Sequence, residues 1–83
     1  MDRGVLVAVQ RFPQWGSEIR RLALADAAFR SLCEDLVDAQ SALALWTRSE
    51  GAQAVQRCNE YETLVRELSE EIAGLVATAG SRT

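Results

Sequence analysis

The sequence predicts an all-α protein. The expected fold is an antiparallel, coiled-coil-like helical hairpin with a short N-terminal helix, able to form a four-helix bundle as a dimer. Three observations predict it. Two long segments repeat apolar residues in alternating steps of three and four, the spacing that puts them on one side of a helix. Gly51 stands between the two segments. The chain holds one proline, Pro13, so everything after it is free to be helical. Its 83 residues suffice for one small domain. An apolar fraction of 48% against 25% charged residues separates it from disordered chains.

Residues 1–16 read as an N-terminal arm and turn. "VLVAV" (Val5 to Val9) has the β-branched richness of a strand. With no second strand in the sequence, it is expected to pair across a dimer, lie extended or fray. "RFPQWG" reads as a turn punctuated by Pro13 and Gly16. Residues 17–25 form a short helix, with Ser17 as its N-cap and Glu18 in the first turn, where the helix dipole favours an acid. Ile19, Leu22 and Ala23 share one side of it. Asp26 is placed to cap a new helix. The alternative is one continuous helix from Ser17 to Arg48, since alanine favours helix.

The hairpin helices are expected over 27–48 and 52–77. Phe29, Leu32, Leu36, Ala39, Leu43 and Trp46 form the first seam, and Cys58, Tyr61, Val65, Leu68, Ile72 and Leu75 the second. Gly51 is the helix-stopping residue between them. A turn there sets Leu43 near Cys58, Leu36 near Val65 and Phe29 near Ile72. Arg30–Glu34, Glu62–Arg66 and Arg66–Glu70 are spaced for surface ion pairs. Residues 78–83 read as a frayed tail.

The apolar face of the first long helix is wide. Its seam spans about 100°, and Cys33, Val37 and Ala44 extend it to nearly 180°. A two-helix hairpin buries only a narrow stripe, so something else must cover Cys33 and Val37. The candidates are the short helix folding back with Trp15, Ile19 and Leu22, a second copy of the chain, or another protein. Trp15, Ile19, Leu22, Cys33, Val37 and Trp46 are therefore the expected interaction face.

Chemistry fares poorly against this reading. The chain has no histidine, and its two cysteines are too few for a zinc site or a disulfide framework. In the expected register Cys33 lies about 15 Å along the axis from Cys58, beyond the roughly 7 Å that a disulfide spans between Cα atoms. Glu34 and Asp35 would repel a thiolate at Cys33 and raise its pKa. The acids Asp35 and Asp38, and Glu67, Glu70 and Glu71, read as solvated helix faces. Serine, threonine and Tyr61 lack an activating base, and no phosphate-binding glycine loop or nucleophile elbow occurs. Arg57 projects toward Trp46, where it would lie over the indole.

Net charge is −3, all nine basic residues are arginine, and at most two adjoin, at Arg20 and Arg21. This argues against nucleic acid and against anionic membrane surfaces. "GVLVAV" is too short for a signal-peptide core, and no stretch approaches the roughly 20 apolar residues of a membrane span. A cytoplasmic location is expected.

"RFPQWGSEIRRLALADAAFRSLCEDL" resembles the opening of the YdcH-like family of small bacterial proteins. The likeness rests on Phe12-Pro13, Ile19, Leu22, Asp26, Phe29 and Leu32, and covers roughly residues 12–36. It implies a short helical hairpin and no activity. The family's second half is usually basic, with a glutamate closing its first long helix; here "ALALWTRSEG" stands there and the second helix is acidic.

The functional expectation is a non-enzymatic interaction protein without a cofactor, working as a homodimer or against a protein partner. The alternatives are a cysteine-based regulatory or redox-sensing protein acting through Cys33 or Cys58, and an accessory subunit of a larger enzyme complex.

Overall fold

The computed structural model describes residues 2–81, which form an all-α arrangement of four packed helices with no strand among the described residues. The helices are α1 (Arg3–Arg11), α2 (Gly16–Ala25), α3 (Ala27–Thr47) and α4 (Ala52–Ser81). A 3₁₀ turn, Pro13–Trp15, links the first two. The molecule is elongated, 49 × 23 × 21 Å, because α4 alone is 30 residues, about 45 Å at 1.5 Å per residue.

The segment expected as a strand or loose arm is helix α1. The β-branched residues of "VLVAV" fit any half-buried surface, and without a partner strand they have no ladder to join. Asp2 starts the helix instead: its Oδ1 accepts from the N–H groups of Gly4 (2.8 Å) and Val5 (3.3 Å). Gly4, Val5 and Ala8 are buried, and α1 packs along α3.

The turn at Pro13 is as expected, and Trp15 stacks on Phe12 with ring centroids 5.3 Å apart. Ser17 does not cap α2. The helix begins at Gly16, and the residue before it, Trp15, makes no side-chain cap bond. Asp26 does divide α2 from α3. Its backbone is extended (φ −136°, ψ 108°), and its carboxylate accepts from the N–H groups of Ala28 (2.9 Å) and Phe29 (3.3 Å).

The core is one cluster fed by all four helices: Val5 and Ala8, Ile19 and Ala23, Phe29, Cys33, Leu36 and Ala39, then Val65, Ile72 and Val76. Burying Leu36 or Ile72, both fully inaccessible, contributes roughly 1.5–3 kcal/mol each. Ser69 is buried among them and satisfies its hydroxyl on the Val65 carbonyl (2.6 Å).

Helices α3 and α4 lie side by side. The start of α3 lies by the end of α4, where Phe29 shares a hollow with Leu75 and Thr78. Near the loop, Thr47 Oγ1 is 3.8 Å from Cys58 Sγ, so Cys58 faces the last turn of α3. Gly51 takes φ +105°, a conformation other residues rarely adopt. It stands four residues past Thr47, the end of α3, and leads into α4, its carbonyl accepting from Ala54 N–H (3.1 Å). Gly80 and Ser81, expected in the frayed tail, belong to α4; Thr83 lies outside the described residues.

The surface ion pairs differ from those the spacing suggested. Those among the described residues are Arg3–Asp38 (3.8 Å), Arg21–Glu18 (3.7 Å) and Arg57–Glu60 (2.9 Å). Arg57 is thus engaged by Glu60. Arg30 donates to the Ala23 carbonyl, satisfying an orphan acceptor in the last turn of α2.

Candidate functional site

The residues expected as an interaction face lie mostly inside the molecule. Ile19 and Cys33 are fully inaccessible and Val37 is buried. Trp15 and Leu22 are half-buried against the core cluster, and Trp46 is half-buried near the loop. Helices α1 and α2 supply the cover that the wide face of α3 required. The sequence points to α2 for that role; α1, whose residues read as a strand or arm, is the part of the cover that this strand-like pattern does not reveal. A signal was present: Val5, Ala8 and Phe12 follow helical spacing behind the capping Asp2.

The seam between α1 and α3 is close. A Cβ built on Gly4 would stand 2.8 Å from the Cys33 carbonyl carbon and from the Glu34 amide nitrogen. Glu34 Oε1 accepts from Gly4 N–H (3.2 Å), so two carboxylates serve the N-terminus of α1. A side-chain hydrogen bond with Glu34, then the N–H groups of Gly4 and Val5, hold the Asp2 carboxyl below its ordinary value. Burial pushes the Cys33 thiol up to about 11, with the charges of Asp2 and Glu34 adding to the effect. Asp35, expected to share in that repulsion, is not among the causes, because it lies on the other side of α3. Cys33 and Cys58 are both free thiols.

What α1 and α2 leave open is the other flank of the α3–α4 pair. Two adjoining hollows share Asp35 and run along it as one trough. Ala39, Ala42, Tyr61, Leu64 and Leu68 form the apolar part of the first, with Asp35 and Asp38 beside them. Ala28, Leu32 and Leu75 continue it toward the start of α3, where Asp26 and Glu71 stand. Leu64 and Leu75 are 39% and 45% exposed, so the trough is only partly covered. From Tyr61 to Leu75 it measures about 21 Å along α4. The small side chains of Ala39 and Ala42 let another backbone come close.

Among the described residues, no group of three or more histidine, cysteine or acidic side chains is placed to hold a metal ion. No helix of the described residues is long and apolar enough to cross a membrane. Comparison with family models, curated proteins and solved structures finds no match for this chain.

Proposed function

We propose that this chain is a non-enzymatic interaction protein that docks a helix in the trough between α3 and α4. In this reading α3 and α4 act as an antiparallel hairpin, and α1 and α2 brace its far side. The observation that carries the proposal is the trough itself. It is a continuous apolar strip about four helical turns long, floored by alanines, with half-exposed leucines along one edge. Helix-in-groove recognition uses such a surface, read by apolar side chains at i, i+3, i+7 and i+10 of the incoming helix. Around Cys33 and Val37 the wide face of α3 is covered within the chain, where α1 and α2 pack on it, while Ala44 stays exposed.

Burial and the raised pKa of Cys33 weigh against a cysteine-based role for Cys33, since the thiolate is the reactive form; they do not bear on half-buried Cys58. The likeness of residues 12–36 to YdcH-like proteins adds an expected fold and no activity.

Selection from an unbiased displayed library of 14-residue helical peptides tests the reading. Binders should be recovered that lose affinity for Ala42→Trp protein, in which the trough is filled, while that variant melts as the original does. Recovery of no binders, or only of binders indifferent to Ala42→Trp, would overturn it.

A further inference from the structure

The trough is charged on one sign only. Asp35 and Asp38 stand beside its middle, and Asp26 and Glu71 beside the end near the start of α3. No arginine lines either hollow. Two of the four carboxylates are committed elsewhere, Asp26 to the cap of α3 and Asp38 to a loose pair with Arg3. Asp35 and Glu71 are exposed and hold no ion pair among the described residues. They come from different helices, Asp35 from α3 and Glu71 from α4, so both walls of the trough carry negative charge. The sequence repeats the asymmetry at larger scale: residues 31–83 contain nine acids and four arginines.

We infer that the occupant of this trough is a basic amphipathic helix of another protein, with an apolar ridge of alanine and leucine flanked on both sides by arginine or lysine. The inference rests on the trough being a docking site and adds the chemistry of the partner. A ridge of about 14 residues spans the distance from Leu75 to Tyr61. Small and large side chains in the ridge match the alanine floor and the leucine edge of α4. Flanking cations reach Asp35 on one wall and Glu71 on the other. Such complementarity governs choice of partner and speed of encounter more than raw affinity. It also disfavours a second copy in the same place. A two-fold contact sets the same patch on both subunits, which would bring each Asp35 and Glu71 toward carboxylates of its mate.

The test uses the full chain and two defined probes. Both are stapled 14-residue helices with the same alanine–leucine ridge, one flanked by arginine and the other by glutamate. Fluorescence anisotropy at low salt should show the arginine peptide binding about tenfold or more tighter than the glutamate peptide, and the gap should shrink as salt screens the charges. Asp35→Asn with Glu71→Gln should narrow the gap, and Ala42→Trp should abolish binding of both. Equal affinities, or tighter binding of the glutamate peptide, would overturn the basic partner while leaving helix docking intact. No saturable binding of either peptide would remove both. Light scattering at the same concentrations gives the last outcome. A dimer that is lost in Ala42→Trp would mean a second copy fills the trough, and the inference would fail.

Discussion

Gly4 and Cys33 bring α1 and α3 to backbone contact: any side chain on Gly4 would collide with the Cys33 carbonyl carbon at 2.8 Å. The obstacle is main chain, which cannot swing aside as a flexible side chain would. This approach lets a nine-residue helix, too short to be stable alone, close over the wide face of α3. Gly4→Ala should therefore destabilise the protein. Overpacking costs about 1–3 kcal/mol, and alanine's better helix propensity offsets up to about 1 kcal/mol. A net loss by urea denaturation is expected, and an unchanged or raised midpoint would show that α1 does not dock as closely as described.

The thiol of Cys33 reports on the same seam. At pH 8 a thiol reagent should modify half-buried Cys58 first and Cys33 only when α1 lifts or the chain unfolds. Gly4→Ala should accelerate the slow phase. The raised pKa also gives a signed pH effect. Folded Cys33 ionises at about 11 and the ordinary thiol at 9.0. Its contribution to stability is complete below about 9 and lost as pH rises toward 11, by roughly 2–3 kcal/mol in total. Comparing Cys33→Ala with the original protein at pH 8 and pH 10.5 isolates the effect: the original should lose more stability between the two pH values than the variant does. Equal losses would contradict the shift.

At the acid end the sign reverses. The Asp2 carboxyl is held below its ordinary value of 3.8 by Glu34 and by the Gly4 and Val5 N–H groups. What it adds to α1 is present above that value and fades as pH falls through the lower, folded one. Amide hydrogen exchange in α1 should therefore quicken on acidification relative to α3. Asp2→Asn should blunt that difference, and parallel behaviour of the two helices would refute the capping role.

The all-α class was legible because apolar spacing in α3 and α4 is long and regular, and period is the strongest signal a sequence carries. Asp26 was legible for a local reason, a short acidic side chain just before a run of helix formers. α1 was hidden because "VLVAV" is too short for periods of 2 and 3.6 to be told apart, and its identity as helix depends on the partner surface of α3. The acid-rimmed trough was hidden differently. Asp35 and Glu71 lie 36 positions apart in the sequence, and only the relative setting of α3 and α4 puts them along one hollow. Ser17 failed as a cap because the 3₁₀ turn after Pro13 runs directly into Gly16, leaving no extended residue for Ser17 to be.

The boundary at Asp26 lends itself to a direct measurement. Its carboxylate accepts two of the orphan N–H groups of α3, and its extended backbone turns the chain from α2 into α3. Asp26→Ala removes both acceptors and introduces the residue most favourable to an unbroken helix. Loss of an N-cap of this kind costs about 0.5–2 kcal/mol. Because Ile19 and Ala23 of α2 are buried in the shared core, a continuous helix through position 26 would pull them off α3 and expose them. The variant should therefore keep or raise its helix content by circular dichroism while its urea midpoint falls. Asp26→Ser, which restores an acceptor, should recover most of the loss. If the serine variant were as unstable as the alanine one, the carboxylate would be acting through its charge beside the α3 N-terminus rather than as a cap.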